Sequence, residues 1–339
     1  MRILVTGASG FIGSYLCRAL VGQGHEVLAL HRPTSLLNGL EGLPVRRVIG
    51  DMLDPTSLTQ AFDAVEVVFH TAAPMRPEAD GRTAIEGHVL GTRNVLQAAR
   101  QARVRQFIHT SSVAALGVPD VPPSTPTGNA PLLDERHTWN YIPERWPYAY
   151  AKHTSEQEVL RAVEAGLQAV IVNPSVVVGA GDWYRTERSL VAYLARGAFV
   201  PVIPGGLNAV HIDDVIAGHL AALERGRPGE RYILGGENLT LPDLLQITAQ
   251  VVGRRPPRLH LPLWAVPPIR LLLEPARKSL KLPIEPSMLW LAGYHFFYDT
   301  NKAQAELGLP PARPYLLAAT ETFDWLVSIG AVPARPKRR

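Results

Sequence analysis

A doubly wound α/β fold is predicted by three features of this 339-residue sequence. Short β-branched runs alternate with helical patterns over the first two thirds of the chain. The first of these runs passes straight into a glycine-rich turn that opens the first helix. After residue 175 the alternation gives way to helices, short strands and proline-rich loops. Repeated strand–helix–strand units imply right-handed crossovers and a parallel sheet covered on both faces. The whole is therefore expected to be a Rossmann-type sheet at residues 1–175, a smaller α+β substrate-binding portion at 176–330 with some segments returning to the sheet, and a basic tail at 331–339.

The strand runs are "RILVT" (2–6), "EVLAL" (26–30), "VRRVIG" (45–50), "VEVVFHT" (65–71), "RQFIHTS" (105–111) and "LQAVIVN" (167–173). Helical periodicity fills 11–22, 55–62, 81–102 and 148–165, and later 187–197, 213–224, 241–252 and 316–329. Between a strand end and the helix at 148 lies "VPDVPPSTPTGNAP" (118–131). A loop this long inside a compact domain is usually functional, and here it is expected over the carboxyl ends of the strands, where open α/β sheets bind ligands.

Hydrophobic residues at 46% and charged ones at 19% exclude wholesale disorder. The formal charge of +4 comes from the tail: removing Arg335, Lys337, Arg338 and Arg339 from the 34 basic residues leaves 30, equal to the 30 acidic ones. A nucleic-acid-binding face is therefore not expected. One cysteine, Cys17, falls in an apolar helical pattern, which fits a buried packing residue and a reducing, cytoplasmic compartment. No signal-peptide pattern precedes the first strand. The apolar stretch "LPLWAVPPIRLLLEPARK" (261–278) is cut by Pro262, Pro267, Pro268 and Arg270, too broken for a transmembrane segment. It remains suited to touching a membrane surface, to covering an apolar substrate or to plain core.

In "VTGASGFIGSYL", Gly7, Gly10 and Gly13 stand three apart between strand and helix. Such glycines allow a tight turn, close approach of backbone to a pyrophosphate and close helix–sheet packing, while the helix N-terminus offers free N–H groups. The strand "HEVLAL" ends in His31 and Arg32 with no carboxylate between 27 and 37. An acid there would bond the ribose of NAD, whereas Arg32 suits the extra phosphate of NADP. NADP is the expected cofactor, with NAD the alternative. Asp51, followed by Met52, is either an adenine contact or a turn or capping residue.

"WPYAYAKHTSEQEVL" (146–160) sets Pro147 at a helix start and puts Tyr148 and Lys152 four apart on one face, with Tyr150 on another. A free phenol titrates near pH 10; an ammonium one turn away, assisted by an oxidised nicotinamide ring, is expected to lower it and make Tyr148 a proton donor. By itself the spacing fits packing residues equally. Ser111 and Ser112, at the carboxyl end of the fifth strand, add hydroxyls able to hold a substrate oxygen.

These motifs belong together. "TGASGFIG", "HTAAP" (70–74), "GTRNVLQAA" (91–99), "HTSSVAALG", Tyr148 with Lys152, "NPSVVVGAGD" (173–182), "VHIDDV" (210–215) and "DTNKAQAELG" (299–308) resemble the extended short-chain dehydrogenase/reductases, the family of NAD(P)-dependent epimerases, dehydratases and reductases. Within it the chain is most similar to dihydroflavonol-reductase-like members and to hopanoid-associated sugar epimerases. The resemblance implies that Ser112 orients the substrate oxygen, that Tyr148 is the acid/base and that Lys152 holds the ribose and tunes the tyrosine. Cofactor contacts then fall to Gly7, Ser9, Gly10, Phe11, Ile12, Gly13, Arg32, Asp51, Met52, Thr71, Ala72, Ala73, Tyr148, Lys152 and Pro174. It also implies a homodimer paired through helices 81–102 and 148–165.

The sequence departs from the family pattern at two places. His88 replaces the asparagine of Asn-Val-x-Gly-Thr and reads either as a helix-surface histidine or as a changed cofactor contact. Val113 and Ala114 replace the acidic pair of sugar dehydratases, which argues against water elimination. The expected reaction is NADP(H)-dependent reduction of a ketone or aldehyde, or oxidation of the alcohol. The alternatives are a nucleotide-sugar epimerase and a non-catalytic redox sensor. Trp183, Tyr184 and Arg185 are placed at the substrate entrance, and Arg185 and Arg188 suit a diphosphate or simply solvent. His211, Asp213 and Asp214 read as a strand–helix junction with an N-cap aspartate, and no metal is expected.

Overall fold

A computed structural model of the chain describes residues 1–73, 81–123, 125–273 and 286–334. Its centre is a seven-stranded sheet in the order β3-β2-β1-β4-β5-β6-β9. The strands are β1 (Arg2–Thr6), β2 (Glu26–His31), β3 (Arg46–Ile49), β4 (Val67–His70), β5 (Gln106–Thr110), β6 (Ala169–Pro174) and β9 (Arg231–Leu234). Every neighbouring pair is parallel. The strand order reverses between β1 and β4, so the carboxyl ends of these two strands flank a crevice.

The strands read as continuous apolar runs because both faces are covered. Ile3, Leu4 and Val5 of β1 and all of β6 are buried. On one face α1 (Phe11–Gly22) presents Leu16, Cys17 and Leu20 at helical spacing, and α6 (Ile212–Arg225) joins it. On the other face lie α2 (Pro55–Ala61), α3 (Gly81–Gln101) and α4 (Pro147–Glu164). Asp54 caps α2 by accepting from the Thr56 N–H, with Pro55 in the first turn.

A second, three-stranded sheet joins β10 (Glu237–Thr240), β8 (Gly206–His211) and β7 (Val176–Val178). Over it pack α5 (Leu190–Ala195), α7 (Leu241–Val251) and α10 (Tyr315–Ser328) around a separate apolar cluster. Two helices depart from the sequence expectation: α8 (Val266–Leu273), in the stretch read as proline-broken, and α9 (Asn301–Leu307). Pro267 and Pro268 occupy the first turn of α8, where their missing N–H groups have no intrahelical partner to lose.

The loop at 118–131 is anchored. Val118 donates its N–H to Asn140 and accepts from it, and Thr127 bonds His295. The tail residues Arg335, Lys337, Arg338 and Arg339 and Pro74 of the "HTAAP" motif lie outside the described residues. Among the described residues no helix is long and apolar enough to cross a membrane.

Candidate active site

The glycine turn is built by backbone geometry. Gly7 has φ +66°, in the left-handed region that disfavours side chains, and a Cβ there would come within 2.7 Å of Ala72 Cα. At Gly13 a Cβ would stand 2.2 Å from Gly7 O, so only glycine lets α1 close on the turn. Gly10 is the N-cap and brings no side chain to the first-turn N–H groups. The positive end of α1 therefore opens at the crevice, as a dinucleotide pyrophosphate requires. Thr71 donates its hydroxyl to Thr6 O, and Ala72 N–H donates to Thr6 Oγ, which locks the β4 end against the turn; Ala73 follows at the edge of the described segment.

Around this turn the predicted contacts divide. Ser9 is buried, with its hydroxyl 3.4 Å from that of Tyr184, which accepts the Leu36 N–H at 3.1 Å. Tyr184 thus bridges the glycine turn and the loop after β2. Its neighbour Trp183 packs edge-on against Trp325 of α10. Phe11 and Ile12 turn partly buried side chains onto the core, leaving their backbone to the crevice. Arg32 follows directly on β2, and its N–H donates to Ser35. Asp51 accepts the Leu53 N–H in a turn and is not a helix cap, that position belonging to Asp54. Met52 is buried against Gly91 of α3.

At the far side of the crevice, β5 ends at Thr110, Ser111 and Ser112 follow it directly, and α4 begins at Pro147. Ser112 stands close enough to Tyr148 for its hydroxyl to favour the ionised phenol, and Ser112 Oγ accepts the Ala114 N–H. Tyr150 turns elsewhere, into contact with Trp139 and His153, and is a packing residue. Pro174 ends β6 beside this corner, where Asn173 donates to Ser112 O.

The electrostatics of Tyr148 and Lys152 in the protein alone are set by burial. Burial raises the Tyr148 phenol above the ordinary tyrosine value; the nearby Ser112 hydroxyl and then the Arg185 charge oppose that rise. Because the side chain is still 46% exposed, this is the desolvation of an open cleft and not of a sealed core. Lys152 is 5% exposed and donates to Thr110 O at 3.1 Å. Its own ammonium is pushed down to about 8 by burial, with Glu156 opposing. The phenol is therefore not acidified in the protein alone, because the lysine is itself desolvated and turned to the β5 carbonyl.

His88 is no surface residue. It is buried, its ring stands edge-on to Tyr148 at 6.2 Å, and burial followed by the Lys152 charge pushes it down to about 3. Beneath lie His70, whose Nδ1 is hydrogen-bonded to Thr6 Oγ at 2.7 Å, and His109, 5.4 Å away between ring centres. Burial holds both neutral.

Other residues of the site escaped the sequence reading. Glu156, fully buried one turn beyond Lys152, accepts from Asn173 at 2.6 Å and from Arg231 at 3.3 Å. It ties α4 to β6 and β9. The four-residue spacing Tyr148, Lys152, Glu156 was its only signal, since Arg231 arrives from 75 residues away. At the β8–α6 junction the N-cap is His211 and not an aspartate: its Nδ1 accepts the Asp213 N–H and its Nε2 donates to Glu321. No group of His, Cys, Asp or Glu among the described residues is arranged to hold a metal.

Comparison with known proteins agrees with this geometry. The model of the NAD dependent epimerase/dehydratase family matches residues 3–235. A Synechocystis sp. protein provisionally named a dihydroflavonol 4-reductase is 35% identical over 97% of this chain and 95% of its own. Sterol demethylase protein B of Methylococcus capsulatus is 33% identical over 92% and 94%. The solved structure of a nucleoside-diphosphate-sugar epimerase from Pseudomonas aeruginosa superposes with a TM-score of 0.79 at 25% identity, covering 98% of this chain and 99% of that one. With its fold, its glycine turn and its family-wide similarity in accord, the chain belongs to the NAD dependent epimerase/dehydratase family and is an NAD(P)-dependent oxidoreductase.

Proposed function

We propose that the protein is an NADP(H)-dependent reductase of a ketone or aldehyde, able to oxidise the corresponding alcohol. The observation that carries this reading is the convergence of Ser112 from the end of β5 and Tyr148 from the start of α4 at the crevice above the sheet, with Lys152 one turn along the same helix. The bound dinucleotide supplies the hydride. Backbone N–H groups at Gly10 to Gly13 hold its pyrophosphate, and Arg32 recognises the additional phosphate that distinguishes NADP. Ser112 Oγ donates to the substrate carbonyl oxygen while Tyr148 Oη gives up its proton to the same atom. Lys152 Nζ keeps one N–H on Thr110 O and offers the others to ribose hydroxyls, and its charge stabilises the phenolate left behind.

Tyr148 is protonated at neutral pH, the state a reduction must start from. Absorbance at the NADPH band with a panel of aldehydes and ketones tests the reading. Oxidation of NADPH that survives Tyr148→Phe undiminished would overturn it. Arg32→Asp is expected to raise KM for NADPH by about 10- to 100-fold, matching the roughly 1.5–3 kcal/mol of a charge-assisted hydrogen bond.

A second reading, a nucleotide-sugar epimerase, is favoured by Arg185, whose charge reaches Tyr148 and suits a diphosphate. It predicts that purified protein retains dinucleotide and inverts a UDP-sugar with none added. Association as a homodimer through α3 and α4 belongs to the same proposal, and a monomeric mass by light scattering at working concentration would contradict it.

A further inference from the structure

The helix α8 is turned the wrong way for water. Its one charged residue, Arg270, points inward, with its guanidinium 3.8 Å from the centre of the Trp290 ring. Its exposed positions are Pro267, Pro268, Leu271 and Leu272, and Trp264, in the turn just before, falls on the same stripe. Exposure reaches 79% at Trp264, 69% at Leu271 and 77% at Leu272. Residues at i, i+3, i+4, i+7 and i+8 that are all apolar normally mark the buried face of a helix. Leu259 and Phe199 are also exposed, on two segments joined by the hydrogen bond from Val202 N to Leu259 O.

The charge beside this stripe selects its occupant. From Leu244 to Leu273 there is no aspartate or glutamate, while Arg254, Arg255 and Arg258 are exposed. An outward apolar stripe with an interface-seeking tryptophan and uncompensated arginines matches the surface of an anionic bilayer, into which apolar side chains insert while the guanidiniums meet lipid phosphates. We propose that α8 and the turn before it dock this protein on anionic membranes. The inner face of the same helix leads towards the catalytic cleft: Arg145, three residues before Tyr148, stacks on the Trp290 ring that Arg270 covers, at 4.1 Å. A carbonyl substrate dissolved in lipid would reach the cleft from that side.

The test is co-sedimentation of the full chain with vesicles of phosphatidylglycerol and phosphatidylcholine, against vesicles of phosphatidylcholine alone. Binding to the anionic vesicles is expected, falling steeply between low and high salt. Leu271→Asp with Leu272→Asp should reduce the bound fraction at least tenfold, and Trp264→Ser should do so on its own. Arg255→Gln with Arg258→Gln should erase the preference for the anionic lipid. NADPH turnover with a water-soluble ketone should be unchanged in all of these variants, which separates lost docking from lost folding and from failure of the reductase reading. Absence of wild-type sedimentation, or sedimentation indifferent to the leucine and tryptophan changes, overturns the proposal. So does self-association that the leucine changes abolish without any vesicle binding, because the stripe would then serve a second copy of the chain.

Discussion

The two sides of the crevice are built on different principles. The glycine turn is made by backbone: Gly7, Gly10 and Gly13 act through a positive φ, an uncapped helix start and a contact no side chain could share. The Ser112–Tyr148–Lys152 corner is made by side chains whose properties come from neighbours distant in sequence. Its lysine is held to a β5 carbonyl, its tyrosine is flanked by His88 from α3, and its serine is tied through Asn173 to a buried ion pair with Arg231. The first side depends on shape, which one methyl group can destroy. The second depends on desolvation and charge, which pH can tune.

Tyr148→Phe should break the second side most severely. A turnover loss on the order of 10² to 10⁴ is expected for a positioned proton donor. The dissociation constant for NADPH, read by fluorescence, should stay near the wild-type value, because the turn is untouched.

Lys152 separates activity from stability. Its pKa is depressed from 10.5 to about 8, so folding disfavours the charged form. That destabilisation is fully present below pH 8, shrinks as pH rises from 8 towards 10.5, and is roughly 3 kcal/mol at neutral pH. Lys152→Met should therefore abolish turnover yet raise the denaturation midpoint at pH 7. Loss of the hydrogen bond to Thr110 O offsets about 1 kcal/mol of the gain, so the advantage should shrink as pH rises past 8 and reverse, to about 1 kcal/mol in favour of wild type, above pH 10.5. In the wild type, kcat/KM for reduction should fall above about pH 8 as Lys152 loses its proton. An unchanged midpoint, or a flat profile through pH 9, would contradict the assignment.

Gly13→Ala tests the first side. The added Cβ meets Gly7 O, which belongs to backbone and cannot swing away. An overpacking penalty of about 1–3 kcal/mol is expected in urea unfolding, with weaker NADPH binding and little change in kcat at saturating cofactor. A substantial fall in kcat there would mean that the two sides are coupled.

His88→Ala should have the smallest effect, about 2- to 10-fold in kcat, the scale of one lost aromatic contact of 0.5–1.5 kcal/mol with the Tyr148 ring. Because this histidine stays neutral down to about pH 3, the change should not shift the acidic limb of the pH profile. A shifted limb would show that His88 itself exchanges protons.

What the chain alone determined is whatever short-range patterning dictates. The order of β1 to β6 and their helices follows from apolar runs and periodicity, because a strand buried on both faces has few other readings. The phosphate turn follows from glycine spacing, because φ and close approach are local. The Pro147 start of α4 and the facing of Tyr148 and Lys152 follow from helix geometry. Tertiary structure alone decided the placement of β9 beside β6, the burial of His88, the ion pair of Glu156 with Arg231, the bridging of the glycine turn and the loop after β2 by Tyr184 and the outward stripe of α8. It also decided that, without a dinucleotide, burial raises the Tyr148 phenol. Spacing along a helix states which groups are neighbours, whereas a pKa depends on how much water the rest of the fold removes from each of them.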